Sequence, residues 1–118
     1  MTVDDVTGMI DLNCKALAAI THISLSYMSG PSNIINLASS AAFLPQPSFA
    51  IYAASKSMVL SFSRALGREL EGRGITVTAV CPGPVKTEFF DIAQKYTKSK
   101  PYKMVLRADP VKVVKLAL

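Results

Sequence analysis

The chain has 118 residues, 50% of them hydrophobic and 18% charged, with a net charge of +5. This length suits a single domain with a modest core, and the composition excludes a disordered or collagen-like chain. Between Ala16 and Ser55 only His22, Tyr27 and Tyr52 can titrate. Ser, Asn, Gly and Pro interrupt that tract, so it holds no apolar run of about 18 residues and reads as soluble core, not a membrane span.

Val3 to Met28 predicts a helix, with apolar residues at Val6, Ile10, Leu17, Ile20 and Ile23 and acids Asp4 and Asp5 near its positive end. Asn13 falls on the same stripe. An inward amide must find partners, so it either braces neighbouring backbone or joins a site. Ser29, Gly30 and Pro31 stop the helix.

Asn33 to Ala38 is a short apolar run expected to form a buried strand, with Ser39 and Ser40 at its carboxyl end. In open parallel sheets that end is where ligands bind. Leu44 to Pro47 carries two prolines and is read as a loop. Phe49 to Glu71 predicts the strongest helix, with a stripe of Ile51, Ala54, Met58, Phe62, Ala65 and Leu66. Gly72 and Gly74 end it. Ile75 to Val80 is the second strand, rich in β-branched residues. Strand, long helix and strand form a βαβ unit, so the two strands should be parallel.

Cys81-Pro82-Gly83-Pro84 then makes a loop at the second strand's carboxyl end. Glu88 to Lys95 is expected to be a short helix, Tyr96 to Arg107 a basic loop, and Asp109-Pro110 the start of a last helix. Residues 1–85 balance in charge, whereas residues 86–118 set eight basic groups against Glu88, Asp91 and Asp109. A solvated lid or surface helix explains this. A nucleic-acid patch is the weaker reading, although Lys95 to Lys103 interleaves bases and tyrosines. Cys14 and Cys81 form no C-x-x-C pair and read as reduced thiols, with no metal site implied. The acidic N-terminus lacks a secretory pattern, so a cytoplasmic location is expected.

Tyr52 and Lys56 stand four residues apart, so on a helix their side chains lie about 40° apart in projection. An ammonium beside a phenol stabilises the phenolate and suits the pair to proton exchange. Taken by itself, Y-x-x-x-K occurs on exposed helices by chance. Its neighbours give it weight: both strand ends open on the edge that carries the start of this helix.

Asn13, Ser39, Tyr52-Ala53-Ala54-Ser55-Lys56 and Cys81-Pro82-Gly83-Pro84-Val85-Lys86-Thr87 together resemble the short-chain dehydrogenase/reductase family, across nearly all of residues 3–91. The resemblance implies an α/β fold, a partial Rossmann-like domain with a doubly wound parallel sheet, spanning residues 1–118 as the catalytic half of a longer protein. It implies an oxidoreductase that moves a hydride between NAD or NADP and a carbonyl or secondary alcohol.

In that family pattern Tyr52 would be the general acid/base and also a cofactor contact, and Lys56 would ease its ionisation and bind the nicotinamide ribose. Ser39 would hold the substrate oxygen, with Ser40 its rival. Asn13 would complete the tetrad through a water on the Lys56 side. Pro82, Gly83, Val85 and Thr87 would contact the nicotinamide end of the cofactor. The family's glycine-rich T-G-x-x-x-G-x-G turn, which holds the cofactor phosphates, is not among these residues. The resemblance also implies a homodimer or homotetramer paired through its two long helices, with no nucleic-acid or membrane partner. The alternative function is an inactive module that acts only through such helix pairing.

Overall fold

The computed structural model describes residues 1–83 and 109–118. Thr2 caps the first helix: its hydroxyl accepts from the Asp5 amide at 3.1 Å, and the Asp5 carboxylate accepts from the Thr2 amide at 2.8 Å. This reciprocal box satisfies two amides that the first turn would otherwise leave unpaired. Helix α1 (Val3–Ile10) runs through a π-helical turn (Asp11–Ala16) into α2 (Leu17–Leu25) with right-handed backbone at every junction.

The helix ends three residues before the predicted Met28. There the Arg73 guanidinium donates to the carbonyls of Leu25 at 2.9 Å and Met28 at 3.1 Å, groups that the helix itself cannot satisfy. The predicted inward stripe is also displaced. Ile10, Ile20 and Ile23 are exposed, while Leu17, Thr21, Leu25 and Met28 turn inward. For Ile20 and Ile23, which follow it, the wider π turn is the cause. It rotates every later residue relative to a 3.6-residue repeat, so one period cannot be carried across it.

Strands β1 (Ser32–Leu37) and β2 (Ile75–Val80) pair in parallel, with Ser32 opposite Ile75 and Leu37 opposite Val80. This is the expected βαβ unit. β1 is half-buried and not fully buried as expected: α3 covers one face, and Ile35 and Leu37 on the other are 41% and 60% exposed.

Helix α3 (Ala50–Glu69) links the strands and supplies most of the core. Its buried residues are Ala53, Ser55, Val59, Leu60, Ser63 and Leu66. Of the predicted stripe only Leu66 is among them, and Ala54 and Ala65 are exposed. Two serines hide the true inward face from a hydropathy pattern. Val59 and Leu60 pack with Ala38, Leu17 and Ala79 near the carboxyl ends of the strands. Leu66, Leu70 and Ile75 pack with Leu25, Met28 and Ile34 near the other ends.

After α3 a short 3-10 turn (Glu71–Arg73) leads to Gly74, whose φ of +68° is the left-handed conformation that glycine adopts without strain. Helix α4 (Pro110–Ala117) starts as the sequence indicates, with Pro110 in its first turn and the Asp109 carboxylate accepting from the Val111 amide at 2.9 Å. The expected helix at 88–95 and basic loop at 96–107 lie outside the described residues.

Candidate active site

The carboxyl ends of the two strands form one edge. The Ala38 amide donates to the Val80 carbonyl at 2.8 Å, and the Ser40 amide donates to the Pro82 carbonyl at 3.0 Å. These bonds continue the pairing past the last strand residues and hold the two following loops together. Ser39 is extended and caps the 3-10 turn Ser40–Phe43 by accepting from the Ala41 amide at 3.1 Å. That bond uses one lone pair of its hydroxyl and leaves the proton to donate. Ser40, the rival for the serine role, is exposed.

Tyr52 and Lys56 occupy the first two turns of α3, as their spacing requires. The Lys56 ammonium lies 5.9 Å from the centre of the Tyr52 ring and donates to the Leu37 carbonyl at 3.0 Å. Leu37 is the last residue of β1, two before Ser39, so this bond ties the Tyr–Lys turn to the strand end that leads into the serine. Burial pushes the Lys56 amine below the usual lysine range, and an ionised Cys14 thiol would act in the opposite direction.

Asn13 lies in the π-helical turn and donates its side-chain amide to the Ser55 hydroxyl at 3.0 Å. Ser55 in turn donates to the Tyr52 carbonyl at 2.7 Å. The sequence left two fates open for Asn13, bracing neighbouring structure or joining a site. Its amide bonds the residue beside Lys56, so Asn13 braces the turn of α3 that carries that lysine.

Pro82 is partly buried and Gly83 exposed, and among the described residues a β-carbon added at Gly83 would meet nothing within 4 Å. Val85 and Thr87 lie outside the described residues. Direct bonds or ring contacts therefore connect Asn13, Ser55, Tyr52, Lys56 and the end of β1, and the Ser40–Pro82 bond brings the second loop to the same edge. Sequence reasoning missed Ser55 and the Leu37 carbonyl. Ser55 had a signal, because a helical serine three residues after Tyr52 can reach back to its carbonyl. A backbone carbonyl leaves no mark in a sequence.

Phe43 and Leu44 line a cavity of about 520 Å³ with Ala53 and Ala54. Tyr52 and Lys56 are not part of its wall. Cys14 and Cys81 are free thiols, each half-buried. Among the described residues no cluster of His, Cys, Asp and Glu could hold a metal ion, and no helix is long and apolar enough to cross a membrane.

A βαβ unit with a lysine–tyrosine turn at the carboxyl edge of a parallel sheet defines an α/β protein of the Rossmann-like class. A family model described as short chain dehydrogenase matches residues 1–97, and the chain belongs to that family.

Among its relatives, sulfoacetaldehyde reductase 2 of Chromohalobacter salexigens is 40% identical over 84 residues, covering 69% of this chain and 33% of the relative. The 3-oxoacyl-[acyl-carrier-protein] reductase of Synechocystis is 36% identical over 92 residues, covering 75% of this chain and 36% of the relative. A solved 3-ketoacyl-(acyl-carrier-protein) reductase from Brucella melitensis, complexed with NADH, superposes with a TM-score of 0.84 at 25% identity. It covers 99% of this chain and 50% of that one. Serine dehydrogenase complexed with NADP+ gives 0.83 at 31% identity, covering 98% and 49%. The chain thus spans about a third of the length of these curated relatives.

Proposed function

We propose that this chain carries the proton-transfer part of an NAD(P)-dependent oxidoreductase site that interconverts a carbonyl and a secondary alcohol. The observation that supports it most is the Lys56 ammonium, set over the Tyr52 ring and bonded to the Leu37 carbonyl at the sheet edge. Tyr52 exchanges a proton with the substrate oxygen, and Ser39 donates its free hydroxyl proton to the same oxygen. Lys56 supplies a positive charge beside the phenol. Asn13 steadies the turn that bears both.

The residues present suit the nicotinamide end of a dinucleotide. Lys56 is the donor for ribose hydroxyls, and Pro82, Gly83, Val85 and Thr87 are assigned to the nicotinamide end. When bound, NAD(P) supplies or accepts the hydride. The six glycines of this chain do not form G-x-G-x-x-G, the pattern of a phosphate-holding turn. The relatives' names, a sulfoacetaldehyde reductase and two oxoacyl reductases, favour a carbonyl substrate.

Thermal unfolding with NADH and with NADPH tests this reading. A ligand that binds only the folded chain raises the melting temperature. A rise with either at millimolar concentration is expected, and the stronger of the two identifies the cofactor. No rise with either overturns the activity for this chain.

A second reading has its own observation. Leu12, Ile20, Ile23 and Tyr27 are 72%, 66%, 60% and 87% exposed along the first helical segment and its end. A homodimer or homotetramer would cover such a surface, and the chain would then act through helix pairing. Sedimentation decides: a strictly monomeric species at tens of micromolar excludes it.

A further inference from the structure

We propose that Ser55 is a positioning residue for the Tyr52–Lys56 pair, the relay through which the π-helical turn at Asn13 sets the geometry of that pair. The inference rests on the function proposed above and concerns a residue to which that function gives no role.

Ser55 is 4% exposed, and a hydroxyl removed from water needs partners. It has two, 3.0 Å from Asn13 Nδ2 and 2.7 Å from the Tyr52 carbonyl. The carbonyl can only accept, so the single Ser55 proton must point to it. Asn13 must then present its NH₂ group, which fixes the amide orientation on chemical grounds. The relay therefore has one direction, from Asn13 to Ser55 to Tyr52.

The grip on Ser55 is double. Cys14, the next residue of the π turn, places its thiol 3.7 Å from the Ser55 carbonyl. Two consecutive side chains thus meet one residue of α3, one at its hydroxyl and one at its backbone. π turns inside α-helices recur at functional sites, and this one presents Asn13 and Cys14 together to the helix that bears Tyr52.

The bond from Ser55 to Tyr52 spans three residues and closes back on the helix, a pattern that bends a helical turn. That turn begins at Tyr52 and ends beside Lys56. Its curvature sets where the Lys56 ammonium stands between the Tyr52 ring and the Leu37 carbonyl. Ser55 touches neither substrate nor reacting atoms in this account. It acts through the two residues on either side of it.

The test compares Ser55→Ala, Ser55→Thr, Asn13→Ala and the Asn13→Ala/Ser55→Ala double variant in the full chain. Ser55→Ala is expected to lower kcat about tenfold with KM within about twofold, the signature of misplacement and not of lost binding. Ser55→Thr, which keeps the hydroxyl, should restore most of it. The double variant should lose no more than the worse single variant, because both break one relay.

A second readout needs no turnover. By NMR the Lys56 ε-methylene protons should show a ring-current displacement from Tyr52, lost in Ser55→Ala and regained in Ser55→Thr. If Ser55→Ala does not fold, Asn13→Ala breaks the same relay from the other side and should lose the displacement in the same way. Unchanged kcat and unchanged Lys56 resonances in a merely less stable Ser55→Ala would overturn the proposal. Turnover retained by Tyr52→Phe would instead overturn the function proposed above, and the Lys56 resonances would still decide the role of Ser55.

Discussion

The Asn36 side chain donates its amide to the Ser63 hydroxyl at 2.9 Å, joining β1 to the middle of α3 through a bond almost wholly withdrawn from water. Asn36 is 7% exposed and Ser63 1%. It lies between the two apolar clusters, Val59 and Leu60 on one side and Leu66 and Ile75 on the other. Burying these groups unpaired would be costly, so the bond fixes which face of α3 meets the sheet. Tyr52 and Lys56, farther up the same helix, inherit that orientation.

Asn36→Ala should destabilise the fold by about 1–3 kcal/mol, since it strands the Ser63 hydroxyl in a dry interface. Adding Ser63→Ala should cost less than the two single changes summed, because each removes the same bond. Urea denaturation of the three variants measures this. Strictly additive losses would show that the two side chains act independently.

Lys56 gives a pH dependence whose sign is fixed. Burial lowers its folded-state pKa below the ordinary 10.5, so the unfolded chain holds the proton over a range where the folded chain has released it. Stability therefore rises with pH between the folded-state value and 10.5, and this contribution is flat below that range. Lys56→Met removes it. The stability of wild type relative to Lys56→Met should move in favour of wild type between pH 7 and pH 10, as followed by urea midpoints. A difference that does not change with pH would contradict a half-buried amine.

Tyr52→Phe keeps the ring under the Lys56 ammonium and removes only the hydroxyl. Turnover with a carbonyl substrate and the favoured cofactor should fall by about a hundredfold or more, the usual weight of a lost acid/base group. The rise in melting temperature with that cofactor should largely persist, since Lys56 and the other proposed cofactor contacts remain. A variant that still turns over would remove Tyr52 from the chemistry.

The fold was legible where pattern and geometry share one period. The β-branched run of Ile75–Val80, the loop prolines after Leu44 and the Asp109-Pro110 start each led to the element observed. Legibility failed where polar residues do the packing. Ser55, Ser63 and Asn36 sit in the interior because they bond to one another or to Asn13, and a hydropathy stripe cannot register a satisfied hydroxyl. It failed again across Asp11–Ala16, where the π turn shifts the helical phase. The site motif was readable because Tyr52 and Lys56 are set by local helix geometry. The Leu37 carbonyl that receives the lysine is set by tertiary packing, and the sequence gives no sign of it.

Gly30 carries the most sharply defined steric prediction. A β-carbon there would stand 2.3 Å from the Arg73 carbonyl oxygen and 3.2 Å from the Gly74 α-carbon. Both neighbours are backbone, so no side chain can swing aside. Arg73 is also constrained, because its guanidinium holds the Leu25 and Met28 carbonyls at the end of α2. Moving its backbone to admit a methyl group would strain that cap and the Ser32 amide bond to the Gly74 carbonyl. Gly30→Ala should therefore cost about 1–3 kcal/mol, the range for overpacking a tight contact. Gly72→Ala is the control: a β-carbon there meets nothing within 4 Å, and the change should fall within about 0.5 kcal/mol. Equal urea midpoints for the two variants would mean that the Gly30–Arg73 approach is not maintained in solution.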